Sequence, residues 1–229
     1  MSKTKTFISV ISFQGKRRQE DGTEKDALES VLYKPSGNAK LEYGETRFPI
    51  IPVINGYAND KDPIRVIAIL TDGDNSNAKN SKHNYDVYFK REIEGIVKSK
   101  SLLLSEIEII HTLDSEDIDT QLKLFSDIAD TIKSEEDVYA CITYGTKPMP
   151  IVLSMALNYA YKLKKDVSVV CTVYGRFSHK VDGKNVGYIY DTTSLFYMDS
   201  IVNKLAEIKA KDPAKAIKLM LGLESVGGE

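Results

Sequence analysis

An apolar run, Val138-Tyr139-Ala140-Cys141-Ile142, gives way to Thr143-Tyr144-Gly145-Thr146-Lys147, and Pro148-Met149-Pro150 then opens a strongly apolar stretch. A strand ending in a small, polar, glycine-containing turn, followed by a cation and a helix start, is how an open α/β sheet builds an anion site. Three further segments repeat the theme: Ser12-Phe13-Gln14-Gly15, Thr71-Asp72-Gly73 and Tyr174-Gly175-Arg176. Together the four offer hydroxyls, an amide, backbone N–H groups beside glycines, aromatic faces and cations. That inventory fits a phosphorylated ligand whose bases stack. Taken singly, each glycine is explained by a chain turn and Lys147 by solvation. Four such loops on one rim favour a site.

To share a rim, these segments must end neighbouring parallel strands. Apolar, β-branched runs over 6–12, 64–70, 103–111, 137–143 and 167–174 read as strands. Residues 186–190 read as a sixth, antiparallel after the Asp182-Gly183-Lys184 turn. Helices are expected over 85–98, 114–133, 150–164, 195–209 and 213–223, the second opening with acids that suit the helix dipole. Residues 47–57 read as a helix broken by Pro49 and Pro52, and 16–24 as a charged flexible loop. Residues 29–43 read as a small hairpin turned at Pro35-Ser36-Gly37-Asn38 and inserted on the core. In the 150–164 helix Ile151, Val152, Met155, Ala156, Tyr159 and Leu163 cover nearly every face, which predicts deep packing. Strands alternating with helices predict an α/β fold: a Rossmann-like, mostly parallel sheet with helices on both faces. One domain is expected over 1–229, with its core at about 5–192, C-terminal helices at 195–223 and a linker-like tail at 224–229.

Composition narrows the chemistry. A net charge of -2 argues against a general nucleic-acid coat. Cys141 and Cys171 sit in apolar strand-like runs and read as buried thiols of a reducing compartment. His83, His111 and His179 have no cysteine at metal-ligand spacing, so no metal and no cofactor is expected. The start, Met1-Ser2-Lys3-Thr4-Lys5, is no signal peptide, and no apolar run approaches the roughly 20 residues of a membrane span, so a cytoplasmic protein away from membranes is expected. Neither the dinucleotide G-x-G-x-x-G nor the nucleotide-hydrolysing G-x-x-x-x-G-K-[ST] pattern is present. Ser12 at a strand end admits a Ser–His–Asp site in principle, but no histidine is expected on that rim. Lys204, Lys209, Lys211, Lys215 and Lys218 are interleaved with acids and apolar residues, so stable DNA binding is not expected.

Segment 136–176 resembles the CRISPR-associated Rossmann-fold (CARF) sensor domains of type III systems, in the group with a D-x-T-H-G signature. The likeness rests on Cys141-Ile142-Thr143-Tyr144-Gly145 and the prolines after it, on Ala156-Leu157-Asn158-Tyr159, and on Val173-Tyr174-Gly175 at the next strand end. Glu45-Thr46-Arg47-Phe48 and Asp191-Thr192-Thr193 extend it over most of the chain. Cys141 stands at the signature's Asp and Tyr144 at its His, which points to stacking or a hydroxyl contact rather than imidazole chemistry.

The resemblance implies a role in antiviral defence. A homodimer would bind a second messenger, cyclic tetra- or hexa-adenylate, across its two-fold axis, and would control an effector module not present in this chain. Lys147 and the N–H groups near Gly145, Gly15 and Pro150 would neutralise phosphates, while Gln14 and Thr146 would read base edges or ribose hydroxyls. An alternative is a stand-alone ring nuclease working by metal-independent 2′-hydroxyl attack, with Lys147 stabilising charge and Ser12 positioning. A second is a ligand-responsive transcription regulator.

Overall fold

The computed structural model describes residues 3–42 and 44–221. Tyr43, residues 222–223 of the expected last helix, and the tail at 224–229 lie outside them. The chain divides into two compact units, 1–192 and 193–229. The first is a Rossmann-like α/β sandwich.

Its centre is a parallel block of five strands. They are β1 (Thr4–Val10), β6 (Pro63–Asp72), β7 (Leu103–Leu113), β8 (Glu136–Cys141) and β9 (Ser168–Val181). β10 (Lys184–Asp191) runs antiparallel beside β9. The sheet then continues through β4 (Val31–Ser36) and β5 (Gly44–Thr46), giving the order β5-β4-β10-β9-β8-β1-β6-β7. The 29–43 segment is therefore no appended hairpin. β4 pairs parallel to β10 and antiparallel to β5, so it widens the main sheet. The small separate hairpin is β2 (Lys16–Arg18) with β3 (Glu24–Asp26), in the segment expected to be a loop. Cross-strand pairing between charged residues supplied no apolar alternation by which to read it.

β1 and β6 are apolar on both faces because helices cover both. On one face Phe7, Val66, Ala68, Tyr139, Cys171 and Val173 join one core cluster with α1 (Ile50–Tyr57) and α3 (Lys90–Ser99). Each large side chain sealed there contributes about 1.5–3 kcal/mol. Cys141 and Cys171 are both buried, as expected, and neither forms a disulfide. The other face carries α4 (Ile118–Thr131) and α5 (Pro148–Leu163). Asp117 caps α4 by accepting from the Thr120 N–H at 2.9 Å. Donation from Ser115 and Thr120 lowers its carboxyl to about 2.

The expected helix at 85–98 begins earlier. α2 (Ser76–Asn84), capped by Asn75, runs through a π-helical turn, Tyr85–Phe89, into α3. α2 has almost no apolar period, which hid it from the sequence pattern. α5 also departs from expectation. Val152, Leu153, Ala156, Leu157 and Ala160 are buried, but Ile151 is 63% and Met155 58% exposed, with Tyr159 and Leu163 exposed along the same stripe. Ile118 and Leu122 on α4 are exposed as well. The second unit holds α6 (Thr193–Glu207) and α7 (Pro213–Met220), the latter capped by Asp212. Among the described residues, no helix is long and apolar enough to cross a membrane.

Candidate functional site

β1 and β8 are parallel neighbours, with Ser9 beside Cys141. Within the parallel block, and after the excursion through β4 and β5, β1 is followed by β6 and β7 on one side of the sheet, while β8 is followed by β9 on the other. Connections departing in opposite directions open a crevice at the carboxyl ends of such a pair. The loops at 11–15 and 142–147 form its two banks.

The 142–147 loop is built to present backbone donors. Gly145 has φ +104°, and a Cβ there would fall 2.5 Å from Met149 Sδ and 3.1 Å from Val10 Cγ1. Only glycine fits both the conformation and the space. Thr143 Oγ1 accepts from the Gly175 N–H at 2.8 Å, tying the loop to β9. The N–H groups of Tyr144, Gly145, Thr146 and Lys147 find no acceptor among the described residues. Consecutive unpaired N–H groups around a glycine of positive φ make a concave anion nest. The Lys147 side chain is exposed and has no acidic partner among the described residues. The Thr146 hydroxyl is buried and unpartnered.

The start of α5 adds less than its position promises. Pro148 and Pro150 carry no N–H, and the Met149 N–H is already donated to the Thr146 carbonyl at 3.1 Å. The first three residues of α5 therefore offer no N–H to a ligand, and most of the candidate donors belong to the loop before the helix.

On the opposite bank, Ser12 is only 2% exposed, and its hydroxyl accepts from the Gln14 N–H at 3.2 Å. It is a turn-forming group rather than a surface one. Asn84 donates to the carbonyls of Ser12 at 2.8 Å and Gln14 at 2.9 Å and fixes this bank. Phe13 is half-buried, while the Gln14 side chain is exposed. Gly15 abuts Asn80, since a Cβ there would meet Asn80 Nδ2 at 2.5 Å. Asn80 and Asn84 escaped the sequence reading because their helix did.

Tyr144 does not offer its ring to solvent as a stacking face. It meets Phe48 edge-on at 6.3 Å, and its hydroxyl donates to the Arg47 carbonyl at 2.6 Å. Burial pushes the phenol well above its ordinary range. Arg47 reaches on, over the Tyr88 ring at 4.1 Å and to Glu92 at 3.5 Å. Tyr88 in turn donates to Asp26 on β3. A polar chain thus runs from the anion loop, beneath the site, to the charged hairpin.

A cavity of about 340 Å3 adjoins the loop, and Gln14, Thr143, Tyr144 and Gly175 line it together with Arg17, Glu29, Phe177 and Asn185. The last four were missed: they lie on the small hairpin, at the entrance to β4, and on β9 and β10. Tyr174 and Arg176, both exposed, alternate with Gly175 and Phe177 along β9 and lie on its other face. Gly175 itself is set by close packing, as a Cβ would strike Pro49 Cγ at 2.3 Å.

Thr71, Asp72 and Gly73 are not brought to the crevice. Thr71 is buried, and Gly73 has φ +130°. Asp72 faces His111 at the end of β7, with Oδ2 3.5 Å from Nδ1. A histidine does therefore reach the sheet's rim beside a carboxylate, contrary to expectation. No serine or cysteine lines the pocket they share. Among the described residues, no group of three or more His, Cys, Asp or Glu is arranged to hold a metal ion.

The first unit is a Rossmann-like α/β sandwich whose 142–147 loop holds, at the topological switch point, four N–H groups without an acceptor among the described residues. No family model matches the chain, and no curated protein matches it.

Proposed function

We propose that the chain is a sensor domain of the CARF type. It binds a cyclic oligoadenylate, of four or six nucleotides, across the two-fold axis of a homodimer and governs an effector module outside this chain. The observation that carries this reading is the run of four N–H groups, Tyr144 to Lys147, without an acceptor among the described residues, beside the exposed Lys147 side chain, at the switch point of the sheet. Such a nest suits a phosphodiester, and its preorganised dipoles need no rearrangement to receive one.

The exposed stripe Ile151, Met155, Tyr159 on α5 begins about one turn after Lys147. Self-pairing through this stripe and Leu122 brings two nests together, and an isologous pair presents each donor twice to a ring with matching symmetry. Binding is favoured over cleavage because Ser12, the expected positioning group, is sealed beneath its own loop.

Calorimetric titration with cyclic tri-, tetra- and hexa-adenylate, paired with light scattering and chromatography of the recovered ring, tests the reading. One intact ring per two chains is expected. Monomers that bind no ring would overturn it. Ring opening in EDTA, abolished by Lys147→Ala, would replace the sensor with a nuclease.

A further inference from the structure

The cavity beside the anion nest differs from it in chemical character. Its volume of about 340 Å3 lies at the small end of small-molecule sites. One part of its lining is apolar, formed by Leu28, Val31 and the ring of Phe177. Phe177 is 51% exposed, so the face of its ring is open to a planar ligand.

Two acceptors sit side by side in the polar lining, Glu29 and Asn185. Asn185 Nδ2 donates to Glu29 Oε2 at 2.8 Å and to the Ser30 carbonyl at 3.0 Å. Asn185 Oδ1 is buried and has no partner among the described residues. Glu29 Oε1 lies 2.7 Å from Lys25 Nζ. Lys25, with Asn185, holds the Glu29 carboxyl below its ordinary range, so it is ionised at neutral pH. A carboxylate has about four acceptor directions, and these partners leave room for another donor. Lys25 and Lys180, the latter 3.9 Å from Oε2, neutralise part of the Glu29 charge, and a neutral ring carrying an exocyclic amine can donate to the acceptor direction that is left. Arg17, which also lines the cavity, has no acidic partner among the described residues and can meet the sugar-phosphate side.

We propose that this cavity is an adenine pocket: Phe177 stacks on the base, Glu29 accepts from its exocyclic amine, and the attached phosphate lies in the Tyr144–Lys147 nest. This assignment rests on the function proposed above, and it adds the discrimination that the nest itself cannot supply. Guanine and hypoxanthine place a carbonyl oxygen where adenine has its amine, and that oxygen meets the ionised Glu29.

The probes are adenosine and inosine 5′-monophosphate, titrated into the full chain by calorimetry, with cyclic tetra-adenylate alongside. The adenosine nucleotide is expected to bind about tenfold more tightly than the inosine nucleotide. Glu29→Gln should erase that difference, and Phe177→Ala should weaken adenosine nucleotide binding about tenfold. Equal binding of the two monophosphates by the unaltered chain overturns the pocket, and that comparison needs no variant to fold. A ring that binds with affinity indifferent to Phe177→Ala and Glu29→Gln also overturns the pocket while sparing the sensor. Monophosphate discrimination without binding of any ring supports the pocket and removes the sensor.

Discussion

The hydroxyl of Tyr144 donates to the carbonyl oxygen of Arg47 across 2.6 Å. One residue stands in the anion nest; the other bridges Glu92 and the Tyr88 ring. Tyr144→Phe removes the bond and leaves a half-buried carbonyl unpaired, at a cost of about 1 kcal/mol. Urea denaturation should show that loss, and titration with cyclic tetra-adenylate should show weaker binding. Unchanged values for both would mean the tether is incidental.

Gly145→Ala places a methyl group at φ +104° and against Met149 Sδ. Strain of this kind costs about 1–3 kcal/mol. A lowered melting temperature and loss of ring binding are expected together. A variant as stable as the parent would show that the loop adopts another conformation in solution.

Lys147 is exposed and has no partner among the described residues, so Lys147→Ala should leave the melting temperature in place. Ring affinity should fall about tenfold or more, and its dependence on salt should flatten, because one phosphate contact fewer releases counterions. Calorimetry at two ionic strengths measures both effects. An unaltered salt slope counts against the phosphate contact.

Burial pushes the Glu92 carboxyl above its ordinary value of 4.5, against the bonds from Thr46 and Arg47 that favour ionisation. The folded chain therefore keeps a proton that the unfolded chain has already released. Stability from this group is fullest below the ordinary value and declines as pH rises from there through the raised folded value. Glu92→Gln retains an acceptor and removes the titration. Between about pH 4 and about pH 7, the variant should gain stability relative to the parent in urea midpoints. A difference that stays constant with pH contradicts the assignment.

Met155→Glu puts a charge into the exposed α5 stripe, far from the nest's donors. The scattering mass should drop from two chains to one, and ring binding should weaken with it. A dimer that persists locates the seam elsewhere.

The parallel block was legible because β1, β6, β8 and the first half of β9 are largely buried on both faces, which leaves long β-branched runs in the sequence. The nest was legible because glycine and proline punctuate it. Other features depend on partners that no local pattern names. Tyr144 is committed to a carbonyl 97 residues away. Ile151 and Met155 are apolar in the same way as Leu153 and Leu157, and residue type alone does not tell an outward stripe from an inward one. α2 is held by its Asn75 cap and by Ala78 and Ser81 against β6, so its polar outer surface gave no period to read. The adenine pocket draws on Arg17, Glu29, Phe177 and Asn185, which meet only after β4, β9 and β10 assemble.

The π-helical turn at Tyr85–Phe89 carries one residue more than regular winding would place there. Wound as regular α-helix instead, the same residues would carry everything downstream about 100° further round the axis. Ile93 and Ile96 would swing out of the core and Glu92 away from Thr46, while Asn80 and Asn84 kept their places beside the first bank of the crevice. The turn acts as a phase joint: it lets one continuous rod serve two masters, a ligand rim upstream and a hydrophobic interior downstream, whose angular demands do not coincide.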